Sequence, residues 1–156
     1  MRKLLIAAAM TALIFTNENV HAQSQGVVIK LSAFSVKVTL DRLQAIFGEK
    51  GITVFARIDH AAGAKRVKKD LPPTELIIFG NPKIGTPLME SSILAGLDLP
   101  LKALVYQDVS EKVFLAYTHP SFITRRHGIK DRNKLSNDEP NLNKIDRSGD
   151  EKEALD

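Results

Sequence analysis

Hydrophobic and polar positions between residues 27 and 128 follow two periods, near two and near 3.6, and each change of period marks an element boundary. Val27-Val28-Ile29-Lys30-Leu31 predicts a first strand, while residues 32–38 fit neither period. Thr39 then reads as a helix N-cap, with Asp41 in the first turn at the positive end of the dipole. Leu40, Leu43, Ile46 and Phe47 share one face of that helix, and Gly51 ends it at the position after the cap. Residues 52–58 alternate as a strand, and Asp59 follows as the cap of a short helix through Ala61, Ala62 and Ala64.

Pro72-Pro73 breaks the chain before Leu76-Ile77-Ile78-Phe79, a continuous apolar run. Such a run predicts a central strand buried on both faces. Gly80-Asn81-Pro82 stops it. Thr86 with Pro87 predicts the next helix start, since Pro is favoured at a first helical position, and that helix runs to near Gly96. Residues 101–106 and 113–117 read as a hairpin around a polar loop. Pro120 opens a last short helix, which Gly128 ends. The expected class is α+β: one small domain over about 26–128, a mixed β-sheet with helices packed on it, closing in a β-hairpin and a short helix.

The two ends differ in character. Arg2 and Lys3 precede an apolar run from Leu4 to Phe15, and Val20-His21-Ala22 places small residues where a signal peptidase reads. Residues 1–22 therefore read as a signal peptide cut after Ala22, which sends the mature chain to the periplasm or outside the cell. The apolar run is shorter than the roughly 20 residues of a membrane span, so no stable membrane anchor is expected after cleavage. Residues 129–156 carry charges of both signs and few apolar groups, the composition of a disordered polar tail.

Composition removes several function classes. Without the signal peptide the net charge is near +3, too small an excess to argue for nucleic acid. Cysteine and tryptophan are absent, which excludes disulfides, thiolate metal sites and thiol nucleophiles. His60, His119, His127 and Met89 are soft-metal ligand types, but their spacing matches no compact motif, and no metal or cofactor is expected. No Ser-His-Asp order, carboxylate pair or dinucleotide fingerprint is visible.

Three blocks carry a family resemblance: residues 51–64 (GITVFARIDHAAGA), residues 73–89 (PTELIIFGNPKIGTPLM) and residues 96–106 (GLDLPLKALVY). In order and spacing the chain from about 34 to 128 resembles the domain-of-unknown-function 302 family. The resemblance implies a compact α+β domain, commonly dimeric, with no agreed activity. The chain departs from the family pattern at Pro72, where a basic residue is usual, and at Thr118-His119-Pro120, where Asn-Asp-Pro is usual.

Two loops are physically suited to chemistry. Asp59-His60 follows a strand directly, and Gly80 to Pro87 joins the apolar strand to a helix. If their strands are parallel neighbours, both loops lie beyond carboxyl ends, where α/β sheets tend to hold ligands. The second loop offers a helix start with free N–H groups, which favours anions. Asp59, His60, Asn81, Lys83 and Thr86 are thus the candidate residues for a small anionic ligand. Each also has an ordinary role, as a cap, a turn residue or a first-turn residue. The function these features suggest is a ligand- or partner-binding module, with a homodimer and a small anion as partners. The alternatives are a small enzyme using Asp59 or His60 as general acid/base, and an accessory protein acting through its charged tail.

Overall fold

The computed structural model describes residues 26–130. The expected signal peptide and most of the expected tail lie outside the described residues. The elements are β1 (Val27–Ser32), α1 (Val36–Glu49), β2 (Thr53–Asp59), α2 (His60–Arg66), β3 (Thr74–Gly80), α3 (Pro82–Ser91), a 3₁₀ turn (Ile93–Leu97), β4 (Leu101–Gln107), β5 (Val113–Thr118) and α4 (Pro120–Arg126). The class is α+β, with helices on a sheet and a closing hairpin and short helix.

The five strands form one sheet in the order β1-β5-β4-β3-β2. Every pairing is antiparallel, where a mixed sheet was expected. The reason is topological. β1 and β2 run the same way but stand at opposite edges, so α1 crosses the whole sheet between them. The connections carrying α2 and α3 join neighbouring strands, as hairpins do.

Helix α1 begins four residues earlier than its pattern suggests. Ser35 is the cap, accepting from the Val38 N–H, and Asp41 falls in the second turn. Thr39 is buried within the helix, where its hydroxyl donates to the Ser35 carbonyl (2.9 Å) and sits 2.8 Å from Ser32 Oγ. Ser and Thr are both cap types, with Ser the better, and here Thr39 is buried inside the helix instead. Gly51 has φ +63°, the left-handed turn expected after this helix. Helix α3 also starts early: Asn81 caps it and Pro82 takes the first position. Pro87 therefore sits inside the helix, and Lys83 loses the intrahelical donor it would have had there. The α-helix ends at Ser91, and the 3₁₀ turn takes the chain on past Gly96.

One face of the sheet is covered. Leu40, Leu43 and Phe47 of α1 pack on Ile77 and Phe79 of β3, Val105 of β4 and Leu115 of β5, and the Phe47 and Phe79 rings stack 4.3 Å apart. Arg57 closes a corner of this layer. Its Nε donates to Glu75 (2.6 Å), and its guanidinium also donates to Asp41 (2.8 Å). The other face is apolar as well, but among the described residues it lacks such a layer. Ile29 and Leu31 of β1 are 53% and 57% exposed, and Phe55 and Ile58 of β2 are 53% and 40% exposed. Between them the register places Phe114, Leu104, Leu76 and Ile78, all only half-buried. The apolar run 76–79 thus has a buried side, Ile77 and Phe79, and an uncovered side, Leu76 and Ile78, rather than burial on both.

Candidate functional site

The two loops singled out in the sequence stand at opposite ends of the sheet. Because β2 and β3 are antiparallel, Thr53 pairs with Gly80 and Asp59 with Glu75. Six residue steps of about 3.3 Å each separate the level of Asp59 from Asn81 by roughly 20 Å. Asp59 and His60 share no site with Asn81, Lys83 and Thr86.

Each of these residues has a local role. Asp59 Oδ1 accepts the Ala62 N–H (2.8 Å), which makes it the cap of α2, and His60 is an exposed first-turn residue. Asn81 Oδ1 accepts the Lys83 N–H (2.9 Å), and the Asn81 carbonyl accepts from Ile84 and Gly85 (2.9 Å each). Pro82 has no N–H. The donors at residues 83–85 that would hold an anion are therefore already engaged. Lys83 and Thr86 are exposed.

The remaining histidines are also apart. His119 Nδ1 accepts the Ser121 N–H (3.1 Å) and caps α4. The His127 side chain is nearly buried, and its Nε2 lies 2.6 Å from Asp98 Oδ2. Arg126 donates to the other Asp98 oxygen (3.1 Å). Asp98 thus ties the end of α4 to the loop before β4. Nothing in the spacing of residues 98 and 127 signals this contact. Among the described residues no group of three metal-ligating side chains gathers at one point.

Two features fit a binding function better than the loops do. The first is the open sheet face. Its width follows from five strands about 4.8 Å apart and its length from six or seven residues, about 500 Å² of footprint. That is at the upper end of the largest apolar patch a typical monomer exposes, roughly 300–600 Å². The second is a cavity of about 240 Å³ at the sheet end where α3 begins. Phe79 and Leu88 line it, with Ile84, Leu99, Met89 and Phe55 around them. Phe55 belongs to both features. A register shift between Val54 and Ala56 leaves it as an extra residue, and its ring lies over Gly80. A Cβ at Gly80 would stand 3.5 Å from that ring and 3.5 Å from Pro100, ordinary contact distances that show how closely both approach the strand there.

Asp41 is a carboxylate with a shifted acidity. The hydrogen bond from Arg57 holds it below the ordinary carboxylate range, and Lys37 adds to the effect. Arg57 is in turn raised by its bonds to Glu75 and Asp41. These four side chains form an ion-pair network fastening α1 to the sheet, and none of them lines the cavity.

The family model for "Domain of unknown function DUF302" matches residues 28–147. The chain belongs to the DUF302 family. A solved DUF302 structure, "Crystal structure of uncharacterized conserved protein DUF302 from Bacillus stearothermophilus", aligns with a TM-score of 0.69 over 79% of this chain and 97% of that one. At 16% identity that likeness shows the fold alone. Two curated relatives bear other names. "Fluoride-specific ion channel FluC 1" of Brucella suis biovar 1 and "Fluoride-specific ion channel FluC 2" of Brucella melitensis biotype 1 are each 47% identical over 104 residues, or 67% of this chain. The match covers 41% and 38% of those proteins, so this DUF302 chain spans about two-fifths of their length. Among the described residues no helix is long and apolar enough to cross a membrane.

Proposed function

We propose that this DUF302 protein is an exported, non-enzymatic binding module that works as a homodimer, two copies packing their open sheet faces together. The observation that carries the reading is the apolar, uncovered face centred on Leu104 and bounded by Ile29, Leu31 and Ile58. A sheet coated with apolar side chains on both sides is stable in water when both sides are covered, and the described residues of one chain supply a single covering layer. Two such faces bring together about 1,000 Å² of flat footprint. Side chains standing off the pleat raise the accessible area above that, toward the roughly 1,200–2,000 Å² of stable interfaces. The charge pattern supports it too: the charged side chain the register puts on this face is Lys102, toward one end of β4, which suits a dry centre and a polar rim. Export is supported by the basic start, short apolar run and small-residue site of residues 1–22. Light scattering on the mature chain tests the dimer. The expected mass is twice that of the protomer, and a protomer mass at tens of micromolar removes the reading.

The relatives favour a second reading, in which the module acts beside a fluoride-conducting partner. What supports it is the 47% identity to two-fifths of chains that carry a fluoride channel name. Growth of a deletion strain in raised fluoride tests it; growth equal to the parent strain removes it.

A further inference from the structure

We propose that the cavity beside α3 is a binding site for an uncharged apolar molecule of about ten carbon atoms. This goes beyond the dimer and, Phe55 apart, uses different residues.

The lining sets the chemistry. Phe79 and Leu88 are buried, and Ile84, Leu99 and Met89 complete an apolar wall. Polar side chains enter only through Asn81 and Thr86, and the Asn81 oxygen is engaged with the Lys83 N–H. Among the described residues no ionisable side chain lines the space. A charged ligand would lose its hydration there without a partner, which costs several kcal/mol or more. Water in it finds few polar partners, so an apolar ligand gains by displacing it.

The volume sets the size. An apolar cavity of roughly 150 Å³ holds benzene, with six carbons. Scaled in proportion, about 240 Å³ holds roughly nine or ten. Pro82, Pro100 and Pro120 also line the cavity, and their rings hold fixed shapes, so less freedom is lost when a ligand seats. The Met89 thioether adds an adaptable, polarizable contact that favours aromatic rings. Rings and alkyl chains share the apolar chemistry and come from different sources, so both serve as probes.

Gly85 supplies the decisive variant. It lies in α3, and a Cβ built there stands 3.7 Å from Leu99 Cδ1, so a side chain at this position points into the cavity. Gly85→Leu fills the space while raising helix propensity. The experiment is amide NMR of the mature chain titrated with naphthalene and, separately, with 1-nonanol. The expected result is saturable shifts at Gly80, Gly85 and Leu101. Gly85→Leu abolishes them or weakens binding at least tenfold, with Gly85→Ala intermediate. The probe that binds tighter identifies a ring or a chain as the ligand. Thermal unfolding confirms that both variants are folded, and Gly85→Ala carries the test if the larger one is not. A monomeric Leu104→Lys background should bind equally well, which separates this inference from the dimer. The proposal is overturned if neither probe shifts these amides, if Gly85→Leu binds as wild type does, or if the shifts fall on β1 and the middle of β4 instead.

Discussion

The two faces of the sheet have nearly the same apolar composition and opposite fates. On one, Ile77, Phe79, Val105 and Leu115 lie under α1 and are buried. On the other, Ile29, Leu31, Leu76, Leu104 and Phe114 have no equivalent layer among the described residues. Composition therefore reports which surfaces avoid water, and topology reports which of them one chain can cover. The mismatch between the two is the clearest functional signal in this molecule.

The contrast can be broken first on the covered side. Phe47→Ala removes a fully buried ring stacked on Phe79 and should cost about 3–5 kcal/mol in urea unfolding, enough to threaten folding of a small domain. Glu75→Ala leaves Arg57 with Asp41 and Gln44 as partners at a half-buried corner, and a loss of about 1 kcal/mol is expected in the same assay. On the open side, Leu31→Ala should cost only about 0.5 kcal/mol at concentrations where the chain is a protomer. A larger loss as concentration rises would locate Leu31 in the dimer contact.

The smallest effect is electrostatic. Arg57 and Lys37 hold the Asp41 carboxyl below its ordinary pKa, so its ionised form favours the folded state. Its contribution is complete above the unfolded-state value near pH 4 and fades as pH falls through the lower folded-state value. Arg57 stays charged throughout and adds no step. Asp41→Asn should therefore flatten the acid side of the stability curve while leaving its shape above pH 5 unchanged, as read from denaturant midpoints across pH.

Strands were legible wherever one side chain in two met the core. Residues 53–59, 101–107 and 113–118 form strands close to where their alternation places them. Helix starts were less so, because Ser35 and Thr39 are both cap types, and so are Asn81 and Thr86, each of the latter pair followed by Pro. Which one caps depends on what the hydroxyl or amide meets in three dimensions. The run 76–79 stated that both faces of β3 avoid water, but it could not state what covers the second. The cavity was not legible at all. Ile52, Met89, Leu99 and Pro120 meet through the fold, and apolar lining leaves no spacing motif. Asp59-His60 and Asn81-Pro82 stood out because caps and turns use the same polar residues as binding sites.

The most direct test of the central claim is sedimentation equilibrium on residues 23–156, on Leu104→Lys at the centre of the open face, and on Val109→Lys at the exposed hairpin tip. A dimer is expected for wild type and for Val109→Lys, and a folded protomer for Leu104→Lys with dimer affinity down at least a hundredfold. A wild-type protomer at high concentration, or a Leu104→Lys dimer as tight as wild type, would contradict it.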